Sequence, residues 1–257
     1  MNMMALTHAV SAELERCELV HHQREPIDLE LARAQHSAYV ALLRRHGLQV
    51  IELSVNRKYP DSVFVEDSAV VVDELAVLTR PGAVSRRGEV AGIGAALDRY
   101  RTTVQIESPA TLDGGDVLRI GRRVYVGSST RSNPAGHAAL RHLLQPHGYS
   151  VKTVPLAACL HLKSAVTALD ERTLLHNPDW VATTHFPEYE LIPVAAGEPG
   201  AANALRIADT VFLPASYPRT AATVRAAGFI VETVDISELQ KAEAGLTCSS
   251  LIFPAEV

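Results

Sequence analysis

Four polar clusters interrupt the apolar segments of this 257-residue chain, and together they hold the side chains that covalent hydrolysis needs. Gly245-Leu-Thr-Cys248-Ser-Ser-Leu251 sets a cysteine in a turn of small residues just before an apolar strand. Leu160-His161-Leu162-Lys163 sets a histidine between apolar neighbours. Thr111-Leu-Asp113-Gly-Gly-Asp116 flanks a glycine pair with carboxylates. Tyr59-Pro-Asp61-Ser-Val-Phe-Val-Glu66-Asp67 ends an apolar triplet on two adjacent acids, with a third at Asp61.

Each cluster alone has a plain structural explanation. A lone cysteine or histidine among apolar residues belongs to the core. Asp-Gly is a hairpin signal. Glu66 and Asp67 read as a solvated turn and, if extended, point to opposite faces. As a set they offer a sulfur nucleophile, an imidazole, a carboxylate to orient it and further anionic groups. Other constellations are absent. Gly92-Ile-Gly94 lacks the third glycine of a dinucleotide fingerprint and lies in a helical pattern. There is no P-loop, and neither His21-His22 nor Cys159-Leu-His161 has a zinc spacing.

The elements that must position these residues alternate strand and helix. Strands are expected at 48–53, 69–72, 75–79, 103–107, 116–120, 123–127, 150–154, 164–169, 173–176, 203–208, 210–214 and 230–235, and helices at 28–46, 87–100, 134–146 and 219–227. In the first helix Leu31, Ala34, Ala38, Leu42 and Leu43 come close to the 3.6-residue period. Gly47, Gly148 and Gly228 stand where helices stop. Four segments repeat one grammar of two short strands turning into a helix. They centre on Leu78, Val126, Leu175 and Leu213, at intervals of 48, 49 and 38 residues. Arg80, Arg131 and Arg219 sit in three of the turns. Either this is the ordinary grammar of an α/β chain or it is a ring of ββαβ-like modules that gathers residues at its centre.

Composition limits the function. Apolar residues at 47% and charged residues at 21% exclude a disordered chain. The longest apolar candidate, Ala69 to Leu78, is broken by Asp73 and Glu74, so no membrane span is expected. A net charge of −5 argues against a sequence-independent grip on nucleic acid and suits a cationic substrate. Met1 to Val10 carries no secretion signal, and Cys17, Cys159 and Cys248 read as free thiols of a reducing cytoplasm. The stretch 193–202 is a loop too short to be a linker, so residues 1–257 are read as one domain.

The segments FVEDSAVV, LTRPGAVSRRGEV, TLDGGDVL, VGSSTRSN, LHLKS, AAN and LTCSS, in that order, resemble dimethylarginine dimethylaminohydrolase, of the guanidine-modifying (pentein) superfamily. The resemblance runs from about residue 5 to 253. It implies a single-domain α/β fold, a five-module ββαβ propeller. It implies Cys248 as nucleophile, His161 as general acid and base, and Asp113 as the acid that orients His161. Glu66 and Asp67 would bind the guanidinium, Asp61 and the carbonyl of Ala242 the α-amino end, and Arg86 and Arg131 the carboxylate. Leu19 falls in the segment that would be a mobile lid. The implied partner is a methylated arginine, with no metal or organic cofactor; a homodimer is compatible with it. Two departures stand out. Some members of the superfamily have Glu where this chain has Asp113, one methylene shorter, so His161 must sit closer. Some have Asp-Gly where it has Glu243-Ala244. The nearest rival is an arginine deiminase acting on unmethylated arginine. A non-catalytic amino-acid-binding protein on the same scaffold is the rival of another class.

Overall fold

The structure, a computed structural model, describes residues 2–255. Five three-stranded sheets repeat one plan: two antiparallel strands, then a third strand parallel to the middle one. The chain opens with β1 (Met3–His8), α1 (Leu29–Arg45) and β2 (Gln49–Leu53). The second sheet holds β3 (Ala69–Val71), β4 (Leu75–Leu78) and β5 (Thr102–Gln105), with α2 (Val90–Leu97) as crossover. The third holds β6 (Val117–Ile120), β7 (Arg123–Ser128) and β8 (Ser150–Pro155), with α3 (Pro134–Leu144) between the last two. A single turn, α4 (Leu162–Ala165), leads into β9 (Val166–Ala168), β10 (Thr173–His176) and β11 (Glu190–Pro193). The fifth sheet is β12 (Leu205–Ile207), β13 (Thr210–Pro214) and β14 (Ile230–Val234), crossed by α5 (Pro218–Ala226). After the short α6 (Ser237–Gln240), β15 (Leu251–Pro254) returns to pair antiparallel with β1.

This is the five-module propeller the resemblance implies, and one module could not be seen as a repeat. Its strands β15, β1 and β2 come from opposite ends of the chain, so no contiguous segment encodes it. β1 and β11 were not anticipated from pattern; β11 is short and ends on a proline. The 38-residue interval also has a cause. The connection from β10 to β11 contains only the short 3-10 turn Thr183–His185, and Val181, Phe186 and Tyr189 fill the place a crossover helix takes elsewhere.

The first strand of each sheet lies innermost. Residues of β3, β6, β12 and β15 line one cavity along the axis, among them Val70, Val71, Val117, Leu118, Leu205 and Leu251. Helices cover the outside. Three of the expected helices fall within two residues of their expected ends, whereas 87–100 shortens to Val90–Leu97, preceded by the 3-10 turn Val84–Glu89; α4 and α6 were not expected, and α4 takes the start of the strand expected at 164–169. The buried face of α1 is only partly the one its periodicity suggested: Leu42 and Leu43 are buried. Leu31 is 42% exposed and Ala34 and Ala38 also face solvent, while Ala32, Gln35, His36 and Tyr39 are buried. Two polar groups of that face, Gln35 and Tyr39, find partners inside. Gln35 donates to Ser237 Oγ at 2.8 Å and accepts from the Glu238 amide at 3.0 Å, and the Tyr39 hydroxyl meets Ser250 Oγ at 2.7 Å.

Candidate active site

Each module delivers its polar residues from one place, the tight helical turn just before its innermost strand. Val65–Ser68 precedes β3 and carries Glu66 and Asp67. Asp113 caps the turn Gly114–Asp116 before β6. His161 caps α4 before β9, with Lys163 inside the turn. Asn203 follows Pro199–Ala202 and precedes β12. Thr247–Ser249, with Cys248 at its centre, precedes β15. Five turns at one end of a propeller converge on the axis, so residues up to 182 positions apart, 66 to 248, become neighbours.

Close approach explains the glycine pair. The Asp-Gly-Gly segment is not a hairpin. A Cβ on Gly114 would sit 1.9 Å from the carbonyl oxygen of Glu66, and one on Gly115 2.6 Å from His161 Nδ1. Two turns therefore press together, and the imidazole lies against bare backbone. That contact lets the short Asp113 reach its partner: His161 Nε2 is 3.0 Å from Asp113 Oδ2. The other Asp113 oxygen accepts from the Gly82 amide at 2.9 Å. Glu66 and Asp67 do not form a solvated turn. Both are 5% exposed.

Asp67 and Glu66 have different surroundings. Asp67 accepts from Arg86 and, at 3.0 Å, from the Gly115 amide, and its Oδ1 lies 3.9 Å from His161 Nδ1. The imidazole thus stands between two carboxylates. Glu66 binds Lys163, and its second oxygen accepts from Thr247 Oγ1 at 2.8 Å. Glu66 and Lys163 both face the axial cavity.

These contacts set the protonation states. Burial alone would lower the pKa of His161, but the charges of Asp67, Asp113 and Asp116 outweigh it and raise it to about 9. Asp67 is held below the usual carboxylate range because His161 and Arg86 overcome the cost of its burial. The Cys248 thiol is pushed far up, by burial first and then by Glu66 and Asp67; the Gly245 amide, 3.3 Å from the sulfur, opposes this. Asp116, buried behind His161, is raised by burial to about 6 while accepting from the hydroxyls of Ser129 and Ser132 and from the Leu162 amide. The empty site therefore pairs an imidazolium with a neutral thiol at neutral pH.

A small cavity opens between these groups. Cys248, His161, Asp67, Asp61, Arg86, Arg131, Ala242 and Glu18 all line it. Asp61 is buried, its carboxyl raised by desolvation, and it accepts from the Glu18 amide at 3.2 Å. Arg131 lies 4.0 Å from Asp113 Oδ2. Three expected residues sit differently from the reading by resemblance. Glu66 does not line this cavity: it faces the axial one, with both oxygens bonded to Lys163 and Thr247. Leu19 packs on the core cluster around Cys17 and Ile27, and the cavity is lined by its neighbour Glu18 instead. Arg86 faces the cavity but is heavily bonded already: to Asp67, to Glu89 at 2.9 Å, and to the carbonyls of Phe64 at 2.9 Å and Asp61 at 3.3 Å. It is first an internal counter-ion.

Asp67, Asp113 and His161 each place a donor atom within 4.8 Å of the others, the one such group among the described residues. Those atoms already serve one another as an imidazolium between two carboxylates. The structure also adds residues to which the sequence reading assigned no role. Asn203 Oδ1 accepts from the Thr247 amide at 2.9 Å, and its Nδ2 donates to Thr247 Oγ1 and to the Lys163 carbonyl, both at 3.0 Å. It ties the nucleophile turn to the His161 turn. Asn203, Asp116 and Lys163 all stand inside the segments that carry the resemblance, and that was the only available signal.

The family described as "N,N dimethylarginine dimethylhydrolase, eukaryotic" matches residues 7–171. The N(G),N(G)-dimethylarginine dimethylaminohydrolase of Streptomyces coelicolor is 41% identical over 249 residues, covering 96% of this chain and 95% of that protein. The chain belongs to the dimethylarginine dimethylaminohydrolase family. The enzyme of that name from Pseudomonas aeruginosa is 36% identical over 228 residues, covering 88% of this chain and 90% of that one. A solved structure of the Pseudomonas family member, a cysteine-to-serine mutant complexed with citrulline, superposes with a TM-score of 0.94 at 32% identity, covering 98% of this chain and all of that one. The cyanobacterial arginine dihydrolase ArgZ, at 20% identity and a TM-score of 0.86, shares the fold of this family. Among the described residues no helix is long and apolar enough to cross a membrane.

Proposed function

We propose that this chain hydrolyses Nω-methylated L-arginines, asymmetric dimethylarginine and monomethylarginine, to citrulline and dimethylamine or methylamine. One observation carries the reading: in a chain of this family, Cys248, His161 and the buried carboxylates Asp61 and Asp67 line one small cavity. The cationic guanidinium suits Asp67 and Glu66. Arg131, whose planar fork matches a carboxylate, suits the far end of the amino acid, with Arg86 in support. Asp61 and the Ala242 carbonyl suit the ammonium.

The substrate activates its own nucleophile. Burial and two carboxylates hold the thiol protonated, and a bound guanidinium reverses that field. A unit charge about 4 Å away at an effective dielectric of about 20 contributes roughly 4 kcal/mol. That equals roughly three pKa units. The thiol releases its proton to solvent, and the thiolate attacks the guanidinium carbon and forms a C–S bond. His161, already protonated, gives its proton to the departing amine as the C–N bond breaks. The imidazole next takes a proton from water, which attacks the same carbon. The C–S bond breaks, citrulline leaves, and the thiol and imidazolium are restored. Asp113 holds the ring throughout.

The five sheets around one axis support residues 1–257 as one hydrolase domain, and three free thiols support a reducing, cytoplasmic setting. The deciding experiment offers arginine, monomethylarginine and asymmetric dimethylarginine side by side and measures citrulline. Turnover of the methylated substrates above arginine is expected. Preference for arginine points to a deiminase, and no citrulline from any guanidine points to a non-catalytic binder.

A further inference from the structure

The segment over the cavity is fastened by a residue to which family resemblance assigns no role. Residues 17–26 cross the site between the 3-10 turn Leu14–Arg16 and α1. Their flanks are tied down: the Glu18 amide donates to Asp61, and Arg24 donates to the carbonyls of Glu15 and Cys17. The backbone hydrogen bonds of the middle all run to one atom. Oε1 of Glu243 accepts from the amides of Val20 at 2.9 Å, His21 at 2.5 Å and His22 at 2.5 Å. Three successive amides around one carboxylate oxygen form an anion nest. Glu243 stands five residues before Cys248, at a left-handed φ of +59°, an uncommon conformation for a residue with a Cβ. It also lines both the active-site cavity and a larger neighbouring one that includes His21, His22 and Trp180.

We propose that Glu243 is the latch of this lid, a positioning residue that couples the covering segment to the nucleophile turn. The inference rests on the function proposed above for its kinetic consequence, though not for the latch itself. The two carboxylate oxygens pull in opposite directions. Oε1 gains three charge-assisted hydrogen bonds, while Oε2 is buried with no partner. Lifting the lid loses the first and returns water to the second, so the closed state is held by a difference of opposing terms. A segment that must admit and release a ligand needs such a balance. A ligand whose α-ammonium sits in the active-site cavity strengthens closure by offsetting the unpartnered oxygen's charge.

Hydrogen exchange of the full-length protein tests this without turnover. In E243A the amides of Val20, His21 and His22 exchange about tenfold faster or more, while amides inside α1 keep their rates. E243Q is isosteric and keeps an accepting oxygen without the charge, so its acceleration is smaller. Adding citrulline slows exchange at the three amides in the wild type more than in E243A. With asymmetric dimethylarginine as substrate, KM rises about tenfold in E243A, more than kcat falls, and E243Q recovers part of it. Unchanged exchange at the three amides in both variants overturns the latch, even if citrulline is formed normally. Faster exchange confined to the lid, in a protein whose wild type forms no citrulline, supports the latch and removes the catalytic reading instead.

Discussion

The two walls of the cavity are held by different chemistry. On the axial wall, charged side chains bind one another: His161 lies between Asp113 and Asp67, Arg86 between Asp67 and Glu89, and behind them Lys163 lies against Glu66 on the axial cavity. All but Lys163 are at most 5% exposed. On the lid wall a single carboxylate holds a strand of backbone amides, and the neighbouring side chains His21 and His22 are exposed. A buried network of paired charges is costly to disturb by removing one member, because the partner is left unpaired. Amides that lose Glu243 find water. The axial wall is therefore preorganised and the lid wall yields, the division of labour a closed hydrolytic site requires.

Substitutions on the axial wall should be the most damaging. Cys248→Ser is expected to lower kcat by at least about 10⁴-fold while the protein still unfolds cooperatively at nearly the same midpoint. Normal activity in that variant would remove the nucleophile assignment. Asp113→Asn should cost about 10³- to 10⁴-fold in kcat, because the ring loses both orientation and the charge that keeps it protonated. A small change there would mean that Asp67 alone suffices. Next, Asn203→Ala should destabilise the fold by about 1–3 kcal/mol, since it leaves the Thr247 amide and the Lys163 carbonyl without this partner, and should lower kcat with it. Chemical denaturation and kinetics on one preparation separate the two effects. Arg131→Ala should weaken binding of the amino acid about tenfold, and of a bare alkylguanidine hardly at all. Equal losses would take Arg131 out of the carboxylate pocket.

Titration sharpens the same contrast. The pKa of His161 is raised from 6.5 to about 9, so its interactions stabilise the fold fully below pH 6.5 and that contribution is lost as pH rises through about 9. The stability gap between the wild type and His161→Gln should therefore narrow between about pH 7 and pH 10 in denaturant melts. A gap independent of pH would show that the ring is neutral in the folded protein.

Much of the architecture was legible in the chain, for identifiable reasons. Alternating patterns and glycine stops placed the helices, because Gly47, Gly148 and Gly228 take the left-handed conformation that ends them. The four contiguous repeats followed from local pattern. The fifth did not, because its pairing joins residues 3–6 to 251–254. The inward face of α1 was partly misread, and there too the partners are distant: Gln35 and Tyr39 meet Ser237, Glu238 and Ser250, which lie some 200 positions away.

The sequence by itself determined which chemical groups this protein carries and the order in which short turns present them. A sulfur, an imidazole and several acids each lie just before a short apolar strand, and nearest-neighbour sterics and hydrophobic period suffice to write that pattern. Only the tertiary structure decided what those groups are. Ring closure around the axis puts Glu66 and Asp67 beside Cys248, turns Arg86 into an internal counter-ion, raises His161 and Cys248, and brings Glu243 under the lid. Charge interactions and desolvation depend on distance in space, and no local rule of sequence contains that distance.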